Sequence, residues 1–259
     1  MNDDNNIHRI LDDADKNSMV YWFPKIKDLD IPQPKTIIVE VPAQKDDFER
    51  AGDDIGYPLF MRTDHASAKH NWDDTCYVPS EKDLHDHIFT LMDETFMLPT
   101  TAIAFREFLK LNYKFKAFDG LPIAKERRYF IKDGKIQCHH HYWIKEAIRF
   151  WSWNKDIKEP ANWREQLEEL NREDKDEVKL LSKYALEVAG VLDGYWSVDF
   201  AQGKDGTWYL IDCALGNDSF HHLDCKYCPQ DQREHYGKRF EQEKKDKEEI
   251  STLEKLGKV

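Results

Sequence analysis

The sequence predicts a mixed α+β chain built on antiparallel hairpins. Three observations carry that expectation. Asp-Gly pairs at Asp133-Gly134 and Asp205-Gly206 each separate two strand-like runs, and an Asp-Gly pair in that setting is a strong two-residue turn signal. Helical spacing is confined to separate stretches, the clearest being Val178, Leu181, Ala185 and Val188. Strands and helices do not alternate in the regular way that builds a parallel sheet.

In chain order, residues 1–18 are polar and read as a lead-in, with a helical turn around residues 7–11. Residues 31–41 form a proline-bounded approach to a β-branched strand. A second strand over 57–62 runs into a loop of small and polar residues at 63–71. Ser80 with Asp83 is a capping signal for a helix reaching about Met92. Residues 101–111 read as a strand, and the Asp133-Gly134 hairpin follows over 126–141. Two helices are expected over 161–189, with Gly190 as the stop. From Pro229 onward the chain is dominated by Glu, Lys, Asp and Gln, as expected of a solvated helix or a partner-docking one. The expected division is therefore 1–18, a small lobe over 19–100, a larger lobe over 101–228, and a charged tail over 229–259.

With 38 basic and 50 acidic residues the chain carries a net charge of −12, which argues against nonspecific binding to nucleic acid or to anionic membranes. An anionic ligand would need a local basic pocket. No apolar run approaches the roughly 18 residues of a membrane span. The start lacks the regions of a signal peptide, and five dispersed cysteines do not form a disulfide framework. A cytoplasmic protein is expected.

The most informative feature is the symmetry of Asp199 and Asp212 about Asp205-Gly206. If 204 pairs with 207, counting outward sets Asp199 opposite Asp212. Opposed strand residues have Cβ atoms about 5 Å apart, and two ionised carboxylates there repel by roughly 3 kcal/mol at a dielectric near 20. Trp196, Val198, Phe200, Tyr209, Ile211 and Cys213 would share the apolar face, leaving Leu210 on the aspartate face among small residues. A hard cation such as Mg²⁺ binds through one or two carboxylates plus substrate phosphates, so the pair reads as a metal seat. The alternative is a solvated hairpin face.

By the same counting, Asp133-Gly134 pairs 128 with 139 and 126 with 141. Glu126, Arg128, Phe130, Gln137, His139 and His141 then share one face, and Tyr129, Ile131, Ile136 and Cys138 the core face. Arg128 becomes a candidate anion-binding guanidinium. Arg62 and Lys69 flank the small-residue loop at Ala66, Ser67 and Ala68, where backbone N–H groups and an ammonium can approach phosphate together. The glycine patterns of a Walker A loop and of dinucleotide-binding folds are absent. His139, His140 and His141 are not expected to form one metal site, since strand neighbours point to opposite faces. His221, His222, Cys225 and Cys228 contain half of a zinc pattern; with no second pair following, they read as a structural cluster.

The ordered set of these features resembles the ATP-grasp superfamily over about residues 20–222. It is most similar to the small viral-type members and to the eukaryotic cell-division-cycle proteins that assist assembly of translation initiation factor two. The resemblance implies two α+β lobes whose antiparallel sheets sandwich a nucleotide. It implies that Lys69 reaches the ATP phosphates, that Arg106, Glu107, Phe108 and Leu109 form the hinge meeting adenine, and that Leu210 packs under the ring. Arg128 then faces the terminal phosphate, with Arg62 assisting there or holding the acceptor carboxylate. Asp199 and Asp212 are the implied Mg²⁺ ligands. Many members carry an asparagine two residues after the second acid; here that position is Ala214, and Asn217 is the candidate replacement.

The implied activity is an ATP- and Mg²⁺-dependent ligase joining a carboxylate to an amine or thiol. The alternative is an ATP-binding assembly factor that docks a protein partner, for which the charged tail is the candidate surface.

Overall fold

The computed structural model describes residues 16–151 and 159–255. The helical turn expected around residues 7–11 and Leu256 of the tail lie outside them.

The described residues open with α1 (Met19–Ile26), capped where Ser18 Oγ accepts from the Val20 N–H at 3.2 Å. It continues through β1 (Thr36–Glu40), α2 (Lys45–Ile55), β2 (Leu59–Thr63), β3 (Tyr77–Val78), α3 (Leu84–Glu94) and β4 (Ala102–Glu107). The four strands form one antiparallel sheet in the order β1-β4-β2-β3. The expected lobe boundary after residue 100 runs through this sheet, because β4 pairs with both β1 and β2. Ser80 donates to Asp83 Oδ2 at 2.7 Å, and a short 3₁₀ turn precedes α3.

A two-stranded hairpin follows, β5 (Tyr113–Ala117) with β6 (Leu121–Ala124). The second sheet uses β7 (Glu126–Lys132), β8 (Lys135–His141), β9 (Tyr195–Gln202) and β10 (Trp208–Leu215) in the order β10-β9-β7-β8. Between β8 and β9 lie α4 (Lys145–Trp151), α5 (Trp163–Asn171) and α6 (Lys175–Ala189); α7 (Gln230–Lys255) closes the described chain. The two helices expected over 161–189 are α5 and α6, and the charged tail is the helix α7. No helix among the described residues is long and apolar enough to cross a membrane.

Periodicity decides the cores. Trp196, Val198 and Phe200 alternate along β9 and pack with Met19 and Trp22 of α1 and with Leu181, Ala185 and Val188 of α6. Burial of each Val, Leu, Phe or Met side chain among them contributes about 1.5–3 kcal/mol. A second core joins α2 and α3 to the first sheet through Leu59, Met61, Leu84 and Phe105. A third gathers Trp72, Phe115, Trp143 and Trp163 around the β5–β6 hairpin. Arg127, 0% exposed, docks α6 by donating to Glu177 Oε1 at 2.6 Å and to the carbonyls of Leu170 and Arg172.

Both hairpins depart from simple symmetry. At the second, Gly203 N–H donates to the Thr207 carbonyl and the ladder closes at Trp208 and Gln202, one residue away from the expected count. A bulge at Ile211 then restores it: Leu210 pairs with Phe200, while Asp212 pairs with Asp199. The bulge turns Leu210 to the core face, where it is 1% exposed, so it does not share a face with the aspartates. In the first hairpin Asp133 (φ 49°) and Gly134 (φ 75°) both occupy the left-handed region that this turn requires. Lys132 pairs with Lys135 and Ile131 with Ile136 as counted, but Gln137 bulges. Arg128 therefore pairs with His140 and Phe130 with Cys138. The expected pairings 128–139 and 126–141 do not form, and Cys138 moves to the Arg128 face.

Candidate functional site

Where the two sheets approach, a cavity opens between β2 and β4 on one side and β7 and β10 on the other. Phe60, Trp72 and Phe108 supply its aromatic lining, with Trp72 between the other two at ring separations of 5.9 and 6.4 Å. Leu109, Leu111 and Pro122 extend the apolar wall. Phe108 and Leu109 lie beyond the end of β4, so their peptide groups are not committed to the ladder.

Arg62, Lys69 and Arg106 bring positive charge to this cavity. Phe60 and Arg62 alternate along β2 and pair with Arg106 and Ala104 of β4, which sets both arginines on one face of the sheet. Arg62, 6% exposed, donates to Asp212 Oδ1 at 2.7 Å and to the Thr63 carbonyl at 3.1 Å. Arg106 donates to the Ile211 carbonyl at 2.6 Å. Burial and the neighbouring Arg62 lower the Arg106 guanidinium to about 10, with Asp212 opposing them.

Lys69 follows Ala68, whose left-handed φ of 47° bends the loop inward. The half-buried ammonium donates to the Tyr142 hydroxyl at 2.9 Å and lies 4.9 Å from the Trp143 ring. Burial opposes its charge, but Tyr142, Glu126 and Asp199 outweigh that and hold it above the ordinary lysine value. Glu126 is itself buried and accepts from Trp143 Nε1 at 2.9 Å; burial pushes its pKa up, against the pull of Lys69.

The carboxylates and Arg128 form a row across the second sheet. Asp212, Asp199 and Arg128 occupy directly opposed positions on β10, β9 and β7. Asp199, 4% exposed, takes two 2.7 Å hydrogen bonds from Arg128, and Arg128 Nη1 donates to the Phe220 carbonyl at 3.3 Å. Asp212 uses Oδ1 for Arg62 and for its neighbour's N–H, and Oδ2 has no hydrogen-bond partner among the described residues. Two facing carboxylates, one with a free oxygen, fit a hard divalent cation.

The structure thus gathers Arg62, Lys69, Arg106, Glu107, Phe108, Leu109 and Asp212 on one cavity. Asp199 and Arg128 stand one and two strands further in. Ile211, the bulged residue, lines the cavity in place of Leu210. Asn217 is exposed in the turn after β10 and is not part of the lining. Glu126, Tyr142 and Trp143 are contributors that the motif reading did not single out. Glu126 was visible on the Arg128 side of the hairpin, whereas nothing in the sequence marks the two aromatics that cradle Lys69.

Beyond the row, His139 stacks on Tyr129 and contacts Glu173, facing away from His140 as strand neighbours must. The expected grouping of His221, His222, Cys225 and Cys228 divides. His222 bonds the His141 carbonyl, while His221 turns to Cys138.

Solved structures similar to this chain include N5-carboxyaminoimidazole synthase from Aspergillus clavatus in complex with ADP and 5-aminoimidazole ribonucleotide. The TM-score is 0.49 at 13% identity, covering 76% of this chain and 44% of that one. VanG D-Ala:D-Ser ligase from Enterococcus faecalis gives 0.48 at 12% identity, covering 79% and 52%. D-alanine–D-alanine ligase from Bacillus anthracis complexed with ATP gives 0.42 at 16% identity, covering 77% and 53%. The chain spans about half the length of these structures. Among curated proteins no sequence matches it. Residues 50–225, well over half of the chain, match an ATP-grasp domain family, the third family of its clade. With its antiparallel sheets facing each other across the cavity, the chain belongs to that ATP-grasp family.

Proposed function

We propose that this protein is an ATP- and Mg²⁺-dependent ligase that joins a carboxylate to an amine or thiol through an acylphosphate. The observation that carries the reading is the convergence of Arg62, Lys69 and Arg106 on an aromatic-lined cavity in a chain of net charge −12. Arg62 works against the charge of the buried Arg106, and a polyphosphate placed between them would relieve that conflict. Phe60, Trp72 and Phe108 offer stacking surface for a purine, with the Phe108 and Leu109 peptide groups available to its edge. Lys69 reaches phosphate oxygens, and Asp199 and Asp212 would hold the metal.

A metal held there would supply neutralisation of phosphate oxygens during transfer. Arg128 orients the Asp199 carboxylate through its two hydrogen bonds. The acceptor carboxylate attacks the γ-phosphorus as the bond to ADP breaks, and the amine then displaces phosphate from the acylphosphate. Lys69 and Arg62 stabilise the charge that develops.

An ADP-release assay tests this: turnover should require both a carboxylate and an amine or thiol. A thermal shift with ATP tests binding alone, since saturation at 100 times Kd stabilises a fold by about 2.7 kcal/mol. No shift at millimolar nucleotide would sink the proposal.

The second reading is an ATP-binding assembly factor. Phe89, Phe96 and Met97, on α3 and just after it, are 75%, 75% and 79% exposed, and a protein partner is one way to cover exposed apolar side chains. Nucleotide binding without acceptor-dependent turnover, together with a partner whose retention changes with nucleotide, would favour it over the ligase.

A further inference from the structure

Away from the cavity, two β8 residues meet two residues of the segment joining β10 to α7. Cys138 and His140 are two apart on a strand, so both project from one face. The bulge at Gln137 determines which face, since it pairs Cys138 with Phe130 and His140 with Arg128. His221 and Cys225 arrive from the other side. One potential ligand atom from each of the four lies within 4.8 Å of the others.

The contacts inside this group are close and leave polar atoms unsatisfied. Cys138 Sγ is 3.2 Å from His221 Nε2. The His140 and His221 rings meet edge to face at 4.7 Å, and His221 stacks on Phe130 at 4.2 Å. His221 is 0% exposed, and the other three are half-buried. His140 Nε2 is buried with no hydrogen-bond partner among the described residues. A buried polar nitrogen left in this way costs about 1–3 kcal/mol, and a cation accepting its lone pair removes the cost.

We propose that Cys138, His140, His221 and Cys225 form a tetrahedral zinc site. Two thiolates and two imidazoles are the donor set of closed structural zinc sites, and soft sulfur ligands select against Mg²⁺ and Ca²⁺. Zinc–nitrogen and zinc–sulfur bonds of about 2.0 and 2.3 Å set ligand separations of roughly 3.3–3.8 Å in a tetrahedron. A modest contraction of the group reaches that geometry. Two thiols lose their protons as zinc binds, so the buried unit is electrically neutral. All four positions are filled by protein, which makes the role structural rather than catalytic.

Zinc here would pin the segment after β10 to the outer strand β8. That segment carries Phe220, whose carbonyl accepts from Arg128, so the clamp also fixes a support of the Arg128–Asp199 fork. The assignment differs from the sequence pattern Cys225-x-x-Cys228. Cys228 Sγ lies against the His221 and Pro229 carbonyls and stands outside the group.

The full chain, purified without chelator under reducing conditions, should carry about one zinc per molecule by elemental mass spectrometry. After chelation, Co²⁺ should restore an intense visible spectrum of tetrahedral d–d bands with a sulfur-to-cobalt charge-transfer band. Cys138→Ser and Cys225→Ser should each weaken Co²⁺ binding by at least about 100-fold, while Cys228→Ser and His222→Gln retain the spectrum. If the cysteine variants fail to fold, the wild-type spectrum still decides. A weak octahedral spectrum, no bound metal, or a Cys138–Cys225 disulfide that persists under reductant would overturn the proposal. Loss of the spectrum in Cys228→Ser, with Cys138→Ser unaffected, would overturn it as well.

Discussion

Arg128 and Asp199 face each other across β7 and β9, and the guanidinium closes a two-bond fork on the carboxylate, Nε to Oδ1 and Nη2 to Oδ2, at 2.7 Å each. Asp212 stands on the other flank of Asp199. One buried anion therefore lies between a cation and a second anion. Burial works against the Arg128 charge, yet Asp199 outweighs it and holds the guanidinium above its ordinary value. The arginine answers the electrostatic question that two opposed aspartates raise, without requiring a metal for stability.

Arg128→Ala is expected to destabilise the fold by about 3 kcal/mol, because it strands a buried carboxylate beside a second one. Arg128→Lys should recover part of this, since an ammonium restores charge but cannot form the planar fork. The double variant with Asp199→Ala should cost less than the two single changes added together. Urea unfolding measures all of these, and strict additivity would show that the fork contributes nothing.

Much of the site was legible because strand alternation and turn chemistry are local. Asp205-Gly206 announced a hairpin, and the facing of Asp199 and Asp212 followed from counting. The count succeeded for an incomplete reason. The turn is offset by one residue, and the bulge at Ile211 cancels the offset. A bulge leaves no compositional mark in a run such as Tyr209-Leu210-Ile211-Asp212, where either of two apolar residues could bulge. What selects Ile211 is tertiary: its carbonyl accepts from Arg106, while Leu210 fits the core beside Phe200. The same blindness hid the cysteine–histidine group, since the bulge at Gln137 moves Cys138 off the expected core face. α1 and α2 also went unread. Pro24 lies inside the first, and the second presents few apolar residues over an acidic face.

Leu210 and Ile211 separate packing from ligand contact. Leu210→Ala should cost about 3 kcal/mol of stability with nucleotide affinity unchanged within twofold. Ile211→Ala should weaken nucleotide binding about tenfold, or roughly 1.4 kcal/mol, with a smaller effect on unfolding. Calorimetric titration beside chemical denaturation checks both. The reverse pattern would place Leu210 at the nucleotide and remove the bulge from the functional argument.

Asp64 predicts how stability responds to acid. The carboxylate is 0% exposed and accepts from the Ser18 hydroxyl at 2.7 Å, the Thr101 hydroxyl at 2.8 Å and the Thr101 N–H at 3.1 Å. It thereby ties the α1 cap to the start of β4. Burial raises its pKa, but His65, Ser18 and Thr101 outweigh that and hold it well below the ordinary carboxylate range. A depressed folded pKa adds stability that is fully present above the unfolded value of about 3.9 and is lost as pH falls through the folded value. Asp64→Asn should cost about 2–3 kcal/mol at neutral pH, because an amide presents donors to donors. That deficit should narrow below about pH 4. A gap that stays constant from pH 7 to pH 3 would remove Asp64 from the acid response.

Lys69 and Asp212 line the same cavity but act on different parts of a nucleotide complex. In the proposed complex Lys69 meets phosphate directly, so Lys69→Ala should weaken ATP binding about 10- to 100-fold, or roughly 1.4–2.8 kcal/mol, with or without Mg²⁺. In the same proposed complex Asp212 would act through the metal. Asp212→Asn should bind ATP in chelator within about threefold of wild type and lose most of the gain that Mg²⁺ confers. Arg62 complicates the second variant, because it donates to Asp212 and loses an ionic partner when the acid becomes an amide. Releasing Arg62 favours a polyphosphate, so affinity in chelator should rise rather than fall. Titration calorimetry in Mg²⁺ and in chelator separates these contributions. An Asp212→Asn variant that keeps the full Mg²⁺ gain would move the metal away from the aspartate pair and leave Asp212 as a counter-ion to Arg62.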